Sequence, residues 1–346
     1  MASQELSDRE RRVLEAVIQS YVETAEPAGS RTLSRRFGLG VSAATIRNTM
    51  SDLEEKGYLF HPHTSAGRVP TDKAYRTYVD GLMRVRPLAS AAQAKIAEEL
   101  RAGGTIELIL HRAAQTLGVL TQELGVALGP RLEQTVLQRL DLVRVSSDKL
   151  VLVMTLRGGA VRTVFVEVRG EIAATALAEV TQVLNERLAG LTIAQIKGSL
   201  ALRLRDAVRS DEAGNVLNIF LEEGEQLFEA AIAKGAGEVV LGQASVLAEQ
   251  PEFAGLDEMR RLMELTETRQ RLAVALRERA TSPGITITIG AEHGDPLLGK
   301  LTVVTAEYRA GDLSGVIGVI GPTRMPYEKV VSVVTHTSRL VTALLE

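Results

Sequence analysis

Residues 41–79, VSAATIRNTMSDLEEKGYLFHPHTSAGRVPTDKAYRTYV, begin and end with helical periodicity and carry Gly57, Pro62, two histidines and Arg68 between. Ser42 stands at the position of an N-cap, Ile46, Met50 and Leu53 recur as one apolar stripe, and Gly57 ends the run. With that stripe turned inward, a rotation of about 100° per residue puts Ala44, Asn48, Ser51 and Glu55 on the opposite side, flanked by Thr45 and Arg47. The first half of this outer face is small or hydrogen-bonding, and Arg and Asn suit bidentate contacts with guanine and adenine. The second half carries Asp52, Glu54 and Glu55, which phosphates repel. Only the N-terminal half is therefore fitted to a nucleic-acid groove. Tyr58 and Phe60 then lead into turn formers, which predicts a small hairpin. Its tip offers His61, His63, Thr64, Ser65 and Arg68, with Gly67 permitting close backbone approach, a set suited to phosphates or a minor groove.

Upstream, Ser7 and Glu10 have the spacing of a capping box, and Val13, Leu14, Val17, Ile18 and Tyr21 form one apolar helical face. Pro27 and Gly29 stop that helix, Ser30 is placed to cap a short one through Phe37, and GLG makes the next turn. Three helices followed by a hairpin is the order of a winged helix-turn-helix, whose third helix enters the major groove. The alternative is three surface helices of a generic domain, with Arg47 and Asn48 merely solvated. The hairpin weighs against it, because HPHTSAGRVP has no apolar reason to exist.

A fourth helix is expected from Thr71 to about Arg86, RPLAS reads as a linker, and helical spacing returns from Gln93 to about Leu124. Residues 135–168 predict three strands of an antiparallel meander, and residues 173–234 a run of helices broken at LAGLT and SDEAGN. EVVLGQASVL reads as a further strand and GLDEMRRLMELTETRQRLAVALRER as one long helix. The tail alternates the strands GITITIG, GKLTVVTAEYR and GVIGVIGPTRM before a closing helix. Strands on both sides of a helical stretch imply an α+β fold interrupted by a helical insertion.

At 346 residues the chain calls for two or three domains. Aromatics are 3% and Trp is absent, so the core must be built from Leu, Val, Ile and Ala. Without Cys there is no disulfide, thiolate nucleophile or thiolate metal site, which favours a cytoplasmic chain. The charged start MASQELSDRERR does not read as a signal peptide, and no uncharged run is long enough to span a bilayer. The net charge of −3 divides into 13 Lys and Arg against 11 Asp and Glu in residues 1–90, and 27 against 32 beyond them. That asymmetry is small and decides nothing alone.

His61 and His63 share one strand face, but the other histidines are scattered, so groove or phosphate contact is a better reading than a metal site. Glu292-His293-Gly294-Asp295 reads as a turn with a solvated imidazole. GVIGVIGPTRM has glycines without the Lys or spacing of a phosphate loop, and Arg324 there is expected to pin the loop to the closing helix or to another domain. No Ser/His/Asp arrangement emerges, so no enzyme and no cofactor are expected.

Three long motifs, EPAGSRTL, VSAATIRNTMSDLEEKGYLFHPHTSAGRVPTDKAYRTYVD and GVIGVIGPTRMPYEKVV, together with LGQASVLAEQPEF, resemble the signatures of the HrcA family of bacterial heat-inducible transcription repressors. The resemblance is close over the first 85 residues or so and good over the last 65 or so, with a looser fit between. It implies a dimeric repressor of chaperone operons that binds an inverted-repeat operator and is kept active by the GroE chaperonin. It further implies a winged helix in residues 1–88, a GAF-like domain in residues 89–189 and 236–346, and an inserted, mainly helical dimerisation domain in residues 190–235. Residues 42–48 map to the reading helix and residues 61–68 to the wing. Ala43 stands where many relatives have Ser, which removes one phosphate-binding hydroxyl. The rival reading is a regulator that senses a small ligand in the GAF-like domain, although so few aromatics offer no obvious stacking platform.

Overall fold

The computed structural model describes residues 6–63, 67–101, 104–130, 132–157, 160–168, 172–207, 211–233, 239–277, 279, 284–311 and 313–345. Helix α1 (Asp8–Thr24) starts at the capping box, where the Ser7 hydroxyl accepts the Glu10 amide at 3.4 Å and the Glu10 carboxylate accepts the Ser7 amide at 2.8 Å. Lys56 reaches the same carboxylate at 2.5 Å and is the main cause of its lowered pKa. Helix α2 (Ser30–Arg36) uses Gly29 as its N-cap, so Ser30 is the first helical residue instead of the cap. Helix α3 (Ala43–Glu55) starts at Ser42, whose hydroxyl accepts the Thr45 amide at 3.1 Å. Strands β1 (Leu59–Phe60) and β2 (Val69–Pro70) pair antiparallel, with Leu59 opposite Pro70. Helix α4 (Asp72–Thr77), capped by Thr71, continues as a π-helical turn, Tyr78–Leu82, and stops before the expected Arg86.

Helices α5 (Ser90–Arg101) and α6 (Ile106–Thr121) and strand β3 (Leu124–Leu128) follow. Next come β4 (Leu137–Arg144), β5 (Lys149–Leu156), β6 (Val161–Glu167), α7 (Ala174–Leu188), α8 (Ile193–Leu204) and α9 (Asp211–Ala233). The chain ends with β7 (Val239–Leu241), α10 (Ser245–Ala248), α11 (Leu256–Glu267), α12 (Arg269–Arg277), β8 (Ile285–Ile289), β9 (Leu301–Ala310), β10 (Leu313–Pro322) and α13 (Tyr327–Leu345). The long helix expected in residues 255–279 is thus two helices, separated at Thr268, whose backbone leaves the helical region.

A five-stranded antiparallel sheet, in the order β7-β3-β10-β9-β8, forms the centre. Helices α6 and α13 cover one face through Ala127, Val304, Ala306, Ile317 and Val319, and the same apolar cluster continues into Leu14, Ile46 and Tyr75 of the N-terminal head. Leu262 and Leu265 of α11 and Leu272 and Leu276 of α12 pack on the other face. The sheet is therefore covered on both sides, as strands rich in Val and Ile require.

Strands β4, β5 and β6 make a separate antiparallel sheet. Its buried Leu140, Leu152, Met154 and Val166 join Val180, Leu184, Leu200 and Phe220 of α7, α8 and α9 in one core of their own. By packing, this unit runs from Leu132 to Ala231 and contains a sheet, so its limits differ from the helical 190–235 of the expectation. Alternation along the meander shows which side is buried; only the fold shows that α7–α9 cover it. Among the described residues no helix is long and apolar enough to cross a membrane.

Candidate nucleic-acid interface

Helix α3 buries Ile46, Thr49, Met50 and Leu53 and exposes Ala44, Arg47 and Asn48, with Ser42 exposed at its cap and Thr45 half-buried. The Ser42 and Thr45 hydroxyls lie 3.0 Å apart, so the first turn closes with its hydroxyls near the positive end of the helix dipole. Asp52 and Glu55 are exposed towards the other end, which confines an approaching polyanion to the first two turns.

The hairpin places His61 and His63 at the surface, while Thr64 and Ser65 lie outside the described residues. Arg68 departs from the expectation of a free phosphate contact. Its side chain is only 14% exposed, and its guanidinium pairs with Glu54 at 2.7 Å. Glu54 also meets the His61 ring nitrogen at 2.8 Å, so one carboxylate on α3 holds both sides of the wing. The Arg68 backbone forms an antiparallel bridge with Ala28, with N–H···O distances of 2.8 and 3.0 Å. Gly67 is required there because a Cβ would overlap the Pro27 and Ala28 carbonyls. EPAG is thus more than a helix stop, since it is the strap to which the wing is fastened.

Two further cations lie on α2, next to α3. Arg31 and Arg35 of α2 are exposed, whereas Arg36 is engaged by Glu23. Sequence reasoning passed over the two arginines, although their spacing of four on a short helix was a legible signal.

The head is tied to the central domain by polar contacts. Arg76 of α4 binds Glu292 in a bidentate pair through Nε and Nη2, at 2.8 and 2.7 Å, and donates to the Ile287 carbonyl at 2.7 Å. The Glu292 hydrogen bond is the main cause of the raised Arg76 pKa. Asp72 accepts the Ala291 amide at 3.1 Å beside Gly290, whose φ of +50° and lack of a Cβ admit the carboxylate. Tyr78 donates to Glu328 at 2.9 Å. Arg324 pairs with Glu252 and donates to the Val22 carbonyl of α1 at 2.8 Å, so it pins its loop to the head. The EHGD turn is a head contact too, and its His293 is half-buried against Arg279 and the Leu301 carbonyl where a solvated ring was expected. Glu123 lies beneath this junction, accepting from Gln250 at 3.1 Å; burial pushes its carboxyl up to about 8.

The family model described as HrcA protein C terminal domain matches residues 107–331. The heat-inducible transcription repressor HrcA of Chlorobium chlorochromatii (strain CaD3) is 37% identical over 349 residues, covering 100% of this chain and 99% of that protein. Its counterpart in Geobacter sulfurreducens is 36% identical over 345 residues, covering 99% of each. A crystal structure of a hypothetical protein, 23% identical and matched over 99% of both chains, shares the fold with a TM-score of 0.63.

Proposed function

Since the chain belongs to the HrcA family, we propose that it is a heat-inducible transcription repressor that binds an inverted-repeat operator as a homodimer and catalyses no reaction. The observation that carries this reading is the exposed N-terminal half of α3, small at Ala44 and bidentate-capable at Arg47 and Asn48, set beside the wing. Ser42, Thr45 and the helix N-terminus meet phosphate, and Arg31 and Arg35 neutralise the flanking backbone. His61 and His63, with Thr64 and Ser65, extend the contact along the wing. Arg68 acts indirectly, by holding the wing at the angle that Glu54 and Ala28 set.

Two heads on one inverted repeat need a dimer, and the open face of the β4–β6 sheet supplies a surface for it. Val143, Val161 and Phe165 there are 50, 51 and 67% exposed, and the register aligns Val143, Val151 and Phe165 across the three strands. Lys149 and Glu167 are cross-strand neighbours at its edge, so the face offers both signs of charge to a second copy of itself. Heat acts on the folded, dimeric fraction: removing about 1–2 kcal/mol from a marginally stable protein depletes its active population, and the GroE chaperonin restores it. The test is operator binding followed against temperature beside circular dichroism and sedimentation, with and without chaperonin and ATP. Loss of binding in step with fold and dimer, restored by chaperonin, is expected. Loss of binding with fold and dimer intact contradicts the mechanism.

A further inference from the structure

A cleft of about 450 Å³ separates the head from the central domain, a size within the range of small-molecule sites. Its head wall is made by Phe60, Val69 and Tyr75, and its opposite wall by Phe253, Leu262 and Leu297. Phe60 is 45% exposed, an aromatic that β1 does not bury and that instead forms one side of this cavity. The Tyr75 side chain is buried to 1% exposure, yet its hydroxyl has no hydrogen-bond partner among the described residues. A buried phenol left in that state is unfavourable, and it is one of the groups that an occupant satisfies after a small displacement of the wall. The hydroxyl lies in the field of Tyr21, Glu252 and Arg324, which line the same cleft.

Three carboxylates, Asp72, Glu252 and Glu258, and three cations, Arg261, Lys300 and Arg324, line the cavity, but they are unevenly placed. Arg324 and Glu252 neutralise one another, and Asp72, which accepts the Ala291 amide, keeps its charge on the head side. On the α11 side, Lys300 approaches Glu258 at 3.3 Å, and the exposed Arg261 acts on the same carboxylate. That wall thus holds two cations against one carboxylate, next to apolar surface. We infer that the cleft between head and core binds a small organic anion with an aromatic or branched apolar body, its acid group at Arg261 and Lys300 and its body between Phe60 and Leu297. An occupant touching both walls is stationed to alter how the head sits on the core, whatever nucleic acid the head reads.

The test uses the full chain without DNA, so its failure leaves the operator reading untouched. The probes are 8-anilinonaphthalene-1-sulfonate and its uncharged analogue N-phenyl-1-naphthylamine, titrated by fluorescence. One saturable site per chain is expected for each. Arg261→Ala should weaken the sulfonate about fivefold and the neutral dye hardly at all, as for loss of a solvent-exposed ion pair. Leu297→Trp should fill the cavity and abolish both. Should Leu297→Trp alter the circular dichroism, Phe60→Ser, at an exposed position, takes its place and should weaken both dyes. Several dyes per chain, no binding, or binding indifferent to the cavity variants overturns the site. Equal loss of both dyes in Arg261→Ala overturns the anion class.

Discussion

Replacing Glu54 by Gln keeps the shape of the side chain and removes the charge on which both His61 and Arg68 converge at 2.8 and 2.7 Å. Exposed ion pairs contribute about 0.2–1 kcal/mol, but Arg68 is only 14% exposed and its Nε lacks a partner among the described residues, so its guanidinium is poorly placed to turn to water. The loss should therefore exceed that of a surface pair and reach about 1–2 kcal/mol for local opening of the wing. An energy of that size is a factor of about 5–30 in the open population. Amide exchange at Ala28 and Arg68, whose N–H groups make the wing-to-strap bridge, should accelerate by that factor, while amides of β9 and β10 keep their rates. Unchanged protection at Ala28 and Arg68 would refute the clamp. A uniform acceleration would also refute it, because the effect would then be global.

Arg76→Ala should raise proteolytic cleavage within residues 83–89 about fivefold or more by releasing the head from Glu292 and Ile287, with the secondary structure retained. Glu123 has a folded pKa raised to about 8, so it keeps its proton in the fold where the unfolded chain has lost it. Its contribution to stability is complete below about pH 4.5 and falls by about 1.4 kcal/mol per unit until the pH passes the folded value. Glu123→Gln should flatten that slope in urea titrations at several pH values; an unaltered slope would exclude Glu123 as its source. Phe165→Asp should yield monomers in sedimentation at concentrations where the parent is dimeric, with unchanged circular dichroism. A dimer that survives the change places the interface elsewhere.

Burial was readable wherever it is periodic. Ile46, Met50 and Leu53 point inward because a helix with one apolar stripe has a single way to bury it, and the exposed Arg47 and Asn48 follow from the same geometry. Strand β3 was hidden because LGVAL is a short apolar run directly after a helix, where periodicity does not separate strand from helix. All five of its residues are buried, so no alternation marks it. The partner of the β4–β6 meander was equally hidden, since alternation reports a buried side and says nothing of its cover. At the wing, sequence identified the residue types but not their engagement. The charge pattern marks Glu54 as repelling phosphate, whereas the fold makes it the clamp on Arg68, and the Ala28–Arg68 bridge joins segments that no local pattern links.

Reading of bases by α3 through Arg47 and Asn48 is tested by equilibrium binding of Arg47→Ala and Asn48→Ala to an inverted-repeat duplex and to a scrambled one, at matched salt. Both side chains are exposed and away from the buried stripe, so circular dichroism and sedimentation should match the parent. Each change should reduce operator binding by about 1–3 kcal/mol and leave the scrambled duplex far less affected, as expected for lost base-edge contacts. If either variant holds the operator as tightly as the parent, α3 is not the reading element in the way its exposed face implies.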